Sequence, residues 1–507
     1  MGLLKLNLLM MKPNRQSRRR RRRLQARNGL IDSLARIKDS PCHPLSSQTT
    51  TAGYLSGQNL PEDIWSHIHS LMPMEDAARA ACLSRAFARS WRCHPDLTFS
   101  EESLGLDKET CSEEEKASNF TSRVDMILKA HSGMGVKKLR FVVGSFHNLD
   151  RWLRFAVKPG IEELEVNLSS LNGNYSFPCE LLSVGARDSL QYIYLASCDF
   201  YPTVRIGCLR SLTRLQFYMV NIRGDELGCL LSNSLVLERL ELRYCGTIKY
   251  LKVPCLQRLS YLEVVLCTKL KAIESKAPNL TSFRFAGRLR AQLALGDTLQ
   301  IKKLNVLCYD AAFYVLTELQ SSMPNLEELV IHSQRETVSA PMAPGKFQNL
   351  KFLFVALGRP AYDYLSLVSF LEASPCLETF ILNVQQCCVE VPSIFADPSG
   401  RLRMMPEHSH SNLRRVEMIN FSSDKSLVEL TCHIVESTSS LERLTLDTTQ
   451  GLPRCSVNKT GRCFMMRRED LVEARRAVLA AQMYVQFRVP STVEFIVLGP
   501  CSQCPDV

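Results

Sequence analysis

The sequence predicts an α/β chain in three parts: a short all-α helical module, an irregular solenoid of short parallel strands, and an α+β C-terminal cap that completes it. Three observations carry this. Apolar triplets of the form L-x-x-L-x-L start at intervals from residue 136 to residue 441, and each reads as the inward face of one short strand. A compact stretch with helical spacing precedes them. After them, strand and helix patterns mix instead of repeating.

At 507 residues the chain exceeds what one hydrophobic core serves, so several domains or a repeat array are expected. Hydrophobic residues make up 45% and charged residues 22%. No run approaches the roughly eighteen uninterrupted apolar residues of a membrane span, and no membrane partner is expected. The net charge of +11 invites a nucleic-acid reading, but ten of the positive charges are Lys5, Lys12, Arg15, Arg18 to Arg23 and Arg27, with no acidic residue among residues 1–27. The remainder holds 52 basic against 51 acidic residues. The body is therefore close to neutral, and no specific nucleic acid is expected as a partner.

Residues 1–58 read as a disordered basic tail and linker. The run Arg18, Arg19, Arg20, Arg21, Arg22 and Arg23 is a nuclear-import candidate, set against a solvated tail that no receptor reads. The expected location is nuclear and/or cytoplasmic. The opening MGLLKLNLLMM is a poor secretory signal, because its basic cluster follows the apolar run instead of preceding it. Twenty cysteines in such a chain are expected as reduced thiols, and the lone C-x-x-C pair, Cys501 and Cys504, specifies no zinc site.

Residues 59–100 form the helical module. Pro61 suits the first helical position, and Glu62 and Asp63 place negative charge at the positive end of the helix dipole. Ile64, Ile68 and Leu71 recur at i, i+4 and i+7 before Pro73 ends the helix. Glu75 opens a second run, in which Ala80, Leu83, Phe87 and Trp91 follow at steps of three and four. Some forty residues cannot bury so much apolar surface alone, so the module is built to dock.

Leu60-Pro61-Glu62, the Ile64/Ile68 stripe, Leu71-Met72-Pro73 and Leu83-Ser84-Arg85 with Phe87 and Trp91 resemble an F-box, closest in wording to those of plant proteins. The resemblance implies a three-helix motif that binds the adaptor Skp1 and, through it, a cullin-RING ubiquitin ligase, with the rest of the chain selecting an unknown protein substrate. It assigns Leu60, Pro61, Ile64, Ile68, Leu71, Pro73, Leu83 and Phe87 to the motif interior or the Skp1 face. Phe87 departs from the tryptophan common in the family, a swap of one aromatic for another.

Residues 101–129, with Glu101, Glu102, Asp107, Glu109 and Glu113 to Glu115, read as an acidic connector or exposed helix face. From 130 to 405 the triplets dominate, starting at Val136, Ile161, Leu190, Leu212, Leu237, Leu259, Leu280, Ile301, Leu326, Leu350 and Leu377, and continuing at Leu413 and Leu441. A Pro-led turn runs into several of them, as in PNL at 278 and 324. Cys198, Cys245 and Cys267 each fall eight positions after the first Leu of their unit, where leucine-rich repeats place Asn or Cys. This resemblance implies a solenoid with parallel strands on its concave face, in which a small thiol packs under the strand-to-loop turn.

Residues 406–507 combine a strand pattern, a helix over Ser426 to Glu436, a second strand, a helix over Arg467 to Ala481 and a last strand over Val493 to Leu498. They resemble the FBD-type region that follows the repeats in many plant F-box proteins and would complete the solenoid. No phosphate-binding, nucleophile-elbow or metalloprotease motif occurs. His67 and His69 lie at i, i+2 on the first helix and are expected at its solvent-exposed surface. The expected function is therefore a non-catalytic substrate receptor of a Skp1-cullin-F-box ligase, with no cofactor and no metal. The alternatives are a repeat scaffold without a ligase role and a small-molecule co-receptor.

Overall fold

The computed structural model describes residues 61–500 except 84, 107–111, 145–147, 169–174, 183–185, 203–206, 288–291, 296–297, 334–335, 337–344, 359–361, 385–392, 397–400, 404, 406–408 and 450–465. Leu60, the arginine run 18–23 and the pair Cys501 and Cys504 lie outside the described residues. The chain forms two compact units, Met1–Asn148 and Leu149–Val507.

In the first unit, α1 (Glu62–Ser70), α2 (Met74–Leu83) and α3 (Arg85–Trp91) are followed by β1 (Asp96–Phe99), α4 (Glu113–Ala130) and β2 (Lys138–Val143). Pro61 is the residue before α1 and not its first, with an extended ψ of 149°; its carbonyl accepts from Trp65 N at 3.2 Å. The stretch read as an acidic connector is largely helix. Ser112 caps α4 by accepting from Glu115 N while the Glu115 carboxylate accepts from Ser112 N, so two of the donors that a helix start leaves unpaired are satisfied. Phe120, Val124 and Leu128, at steps of four, are buried, and the glutamates gather at the first turn, where the helix dipole favours them. β1 and β2 pair in parallel, with Phe99 opposite Phe141 and their rings stacked at 4.9 Å.

The second unit opens with α5 (Leu149–Ala156), whose Leu149, Trp152, Leu153 and Ala156 are all buried. There follow β3 (Glu163–Leu168), β4 (Tyr192–Ala196), β5 (Arg214–Tyr218), α6 (Gly224–Ser232), β6 (Arg239–Arg243) and β7 (Tyr250–Val253). Next come β8 (Tyr261–Val265), β9 (Ala272–Ser275), β10 (Ser282–Ala286), β11 (Gln292–Ala294), β12 (Lys303–Cys308) and α7 (Ala311–Tyr314). The unit continues with β13 (Glu328–Ser333), β14 (Phe352–Leu357), α8 (Val368–Ala373), β15 (Thr379–Val384) and β16 (Arg415–Ile419). It ends with α9 (Lys425–Ser437), β17 (Arg443–Asp447), α10 (Arg468–Ala480) and β18 (Glu494–Leu498).

Strands β3, β4, β5, β6, β8, β10 and β12 to β18 pair in that order as one parallel sheet. Each strand from β3 to β17 in this sheet begins two residues after the first apolar residue of its triplet, and so does β2 in the first unit. One face is core: Leu164 and Val166, Leu240 and Leu242, and Phe380 and Leu382 are fully buried. Alternation leaves the other face open. A separate parallel sheet, β11-β9-β7, was not anticipated; its strands hold three or four residues, too few for a period to register.

Two devices join neighbouring repeats. The asparagine just before the triplet reaches back one unit: Asn279 donates to Gln257 O at 2.8 Å, Asn325 to Leu299 O at 2.8 Å, Asn349 to Pro324 O at 3.1 Å and Asn412 to Pro375 O at 3.0 Å. That is the physical content of the PNL text. Cys198, Cys245 and Cys267 are buried, and the Cys245 thiol lies 3.8 Å from Phe217 O and that of Cys267 3.8 Å from Leu242 O, each one unit back. Burial, with Asp199 beside it, pushes the Cys198 thiol up to about 12, so it stays protonated and acts as packing. Directly after their strands, Ser197, Met219, Tyr244, Leu266 and Asn420 adopt positive φ between 52° and 61°.

Candidate functional site

The helical module in the first unit holds the residues singled out for docking, and the fold separates them. Phe87 is half-buried: it meets Trp65 edge-on at 5.5 Å and stacks on His69 at 5.1 Å, so it belongs to the module's interior. Ile64, Ile68, Leu71 and Leu83 are 41%, 38%, 72% and 88% exposed, and Pro61 and Pro73 are exposed as well. α2 stops at Leu83 and α3 begins at Arg85, so Ala80, Leu83, Phe87 and Trp91 do not share one helix. Trp91 is buried where Leu83 is not.

His69 is corrected by the structure: it is fully buried, not at the surface. Its Nε2 lies 2.9 Å from Ala77 O and its Nδ1 3.0 Å from Ser90 Oγ. A carbonyl only accepts, so Nε2 donates and Nδ1 accepts from the Ser90 hydroxyl. One neutral imidazole thus ties α1 to α2 and α3. Burial lowers the His69 pKa below its ordinary value, and the nearby His94 ring, 5.5 Å away, adds to the lowering. His94 in turn reaches Met72 O at 3.2 Å, and His131 Nε2 donates to His94 O at 3.0 Å. The partners that tie these three side chains to other elements are 8 to 37 residues away, so no local sequence signal marks them.

In the second unit the open sheet face is ordered into register rows. One row runs Tyr192, Arg214, Arg239 and Tyr261 across β4, β5, β6 and β8. The next runs Tyr194, Gln216, Glu241, Glu263 and Arg284 from β4 to β10. Glu241 and Glu263 are only 4% and 1% exposed although they point to the open face. Arg239 and Arg243 both pair with Glu241, the latter at 3.0 Å, and Arg243 also reaches Glu263 at 2.5 Å. The Tyr261 hydroxyl donates to Glu263 at 2.6 Å, and the Arg239 guanidinium lies over the Tyr261 ring at 3.7 Å. Arg214 covers Tyr192 at 5.3 Å. Further along, at β13 to β15, the same row becomes apolar, with Val330, Phe354 and Ile381 in register.

A groove of about 790 Å³ lies between α6 and the small sheet, lined among others by Arg223, Tyr250, Lys249, Lys252, Glu274 and Lys276. Among the described residues no three His, Cys, Asp or Glu side chains could hold a metal ion together. No described helix is long and apolar enough to cross a membrane.

Two family models match the chain when it is compared with known proteins. A family model described as F-box domain matches residues 58–97, and one described as At1g61320/AtMIF1, LRR domain matches residues 127–502. The chain is 26% identical over 208 residues to the Arabidopsis thaliana F-box/LRR-repeat protein At3g26922, covering 40% of this chain and 65% of that one. To the F-box/FBD/LRR-repeat protein At1g13570 of the same plant it is 23% identical, covering 54% and 60%. To the F-box/LRR-repeat protein At3g03360, also from that plant, it is 24% identical, covering 74% and 82%. Against the first three curated relatives the match spans about half to two thirds of their length. Because the repeat model covers most of the chain and the F-box model falls on the three helices, this is a plant F-box/leucine-rich-repeat protein of the At1g61320/AtMIF1 repeat-domain family.

Proposed function

We propose that this protein is the substrate-recognition subunit of a Skp1-cullin-F-box ubiquitin ligase. Its helical module docks on a Skp1-like adaptor, and its open sheet face holds a target protein. The observation that carries the reading is the exposure of Ile64, Ile68, Leu71 and Leu83 on a module of the F-box family. Large apolar side chains left in water at helical spacing are what a helical partner buries. The chain then works as a non-catalytic adaptor by proximity: it raises the effective concentration of a target lysine beside ubiquitin activated on other subunits.

The test is retention of a Skp1-like adaptor by the full-length chain and by a Leu71→Glu/Leu83→Glu double variant. Both positions are exposed, so folding is unaffected, and retention is expected to fall at least tenfold. Equal retention by the variant, or none by the unaltered chain, removes the basis of the proposal.

A further inference from the structure

Resting on that reading of the open face, we infer that the docking surface is the basic, aromatic platform spanning β4 to β10, and that its occupant is an extended acidic segment of the target.

Charge decides the partner. The platform carries Arg214, Arg239, Arg243 and Arg284 against Glu241 and Glu263. The two carboxylates are buried beneath the guanidiniums, whereas the side chains of Arg239, Arg243 and Arg284 are 40%, 41% and 30% exposed and Arg214 is exposed and makes no ion pair among the described residues. What a partner meets is therefore a positive surplus, and acidic groups complement it.

Order decides the affinity. Each arginine is already held, by a buried carboxylate or by a tyrosine face, so binding costs little side-chain entropy. A guanidinium has five N–H donors and uses only part of them on its internal partner, leaving others for a carboxylate arriving from solvent. Tyrosine and arginine are also the residue types over-represented where binding energy concentrates. The platform crosses five strands, about 19 Å at the usual strand spacing, which roughly six residues of extended chain span. The Val330, Phe354 and Ile381 row beyond it offers no such charge.

The test is selection from a random twelve-residue peptide library on the full-length chain, followed by affinity measurement on three variants. The enriched peptides are expected to carry net negative charge. Arg214→Glu should weaken them at least tenfold and Arg214→Gln by less, while Lys252→Glu, on the groove beside α6, changes the net charge equally and should alter binding less than twofold. Neutral or basic winners, undiminished binding by Arg214→Glu, or an equal loss with Lys252→Glu would each overturn the inference. Adaptor retention, measured on the same samples, keeps the two readings apart. If the peptides show no acidic preference while the adaptor is retained, only the platform falls; if the adaptor is lost while acidic selection persists, only the ligase reading falls.

Discussion

His69 is a single side chain on which three helices depend. It is neutral and buried, and its folded pKa lies below the ordinary 6.5 because burial penalises the charged ring. The unfolded chain therefore binds the extra proton more readily, and the stability contributed by the neutral ring, fully present above pH 6.5, is lost as pH falls below it. The groups facing it are His94, Phe87, Ser90 and the Ala77 carbonyl, none of them an acid that would compensate. Opening of α1 to α3, followed by amide hydrogen exchange between pH 7.5 and 5.5, should become easier as pH falls through 6.5. The same dependence should flatten in a His69→Gln variant; an unchanged slope would show that the ring is not the sensor. Sequence reading put this residue at the surface, since its neighbours at i±1 are polar or apolar without pattern and its partners come from other helices. Cys245 and Cys267 were legible for the opposite reason: their place in the repeat fixes their surroundings.

The strands were the most legible elements, because a triplet of apolar residues fixes both the existence and the phase of a strand with one buried face. The helices α9 and α10 also fall within one residue of their expected ends, helped by a run of apolar spacing long enough to show its period. α6 and the small sheet were not legible, and their packing explains why. A Cβ on Gly224 would lie 2.0 Å from Tyr250 O, so α6 rests on the backbone of β7 through an absence of side chain. Gly228, one turn on, would bring its Cβ no closer than 3.7 Å to Lys252 O. Gly224→Ala is accordingly expected to cost about 2–3 kcal/mol by forcing helix and strand apart, whereas Gly228→Ala should be neutral or stabilise by up to about 1 kcal/mol through helix propensity. Chemical denaturation of the two variants separates these outcomes. Equal effects would mean that the close approach is not what holds α6 in place.

Across the whole second unit, stability is a sum over neighbours, and the last strand has a neighbour on one side only among the described residues. Phe380 in β15 is fully buried, whereas Phe495 in β18 is only half-buried, although both occupy the same core-facing position of their strands. Phe380→Ala should cost about 3–5 kcal/mol, and Phe495→Ala well under half of that, as read by urea unfolding. Comparable losses would mean that β18 is as enclosed as the inner strands. The left-handed residues that follow five of the strands have a consequence that also runs the length of the sheet. A positive φ breaks the alternation, so that Tyr244 meets Tyr218 on the open face at 5.2 Å and Leu266 joins Val265, Ala286 and Leu307, where a strand residue in phase would have turned to the core. Each costs on the order of 1 kcal/mol in backbone strain, and at Tyr244 and Leu266 it turns the side chain away from the core face. The rim of the sheet is thereby a place where sequence can drift without repacking the core, a margin in which recognition can be rewritten one repeat at a time.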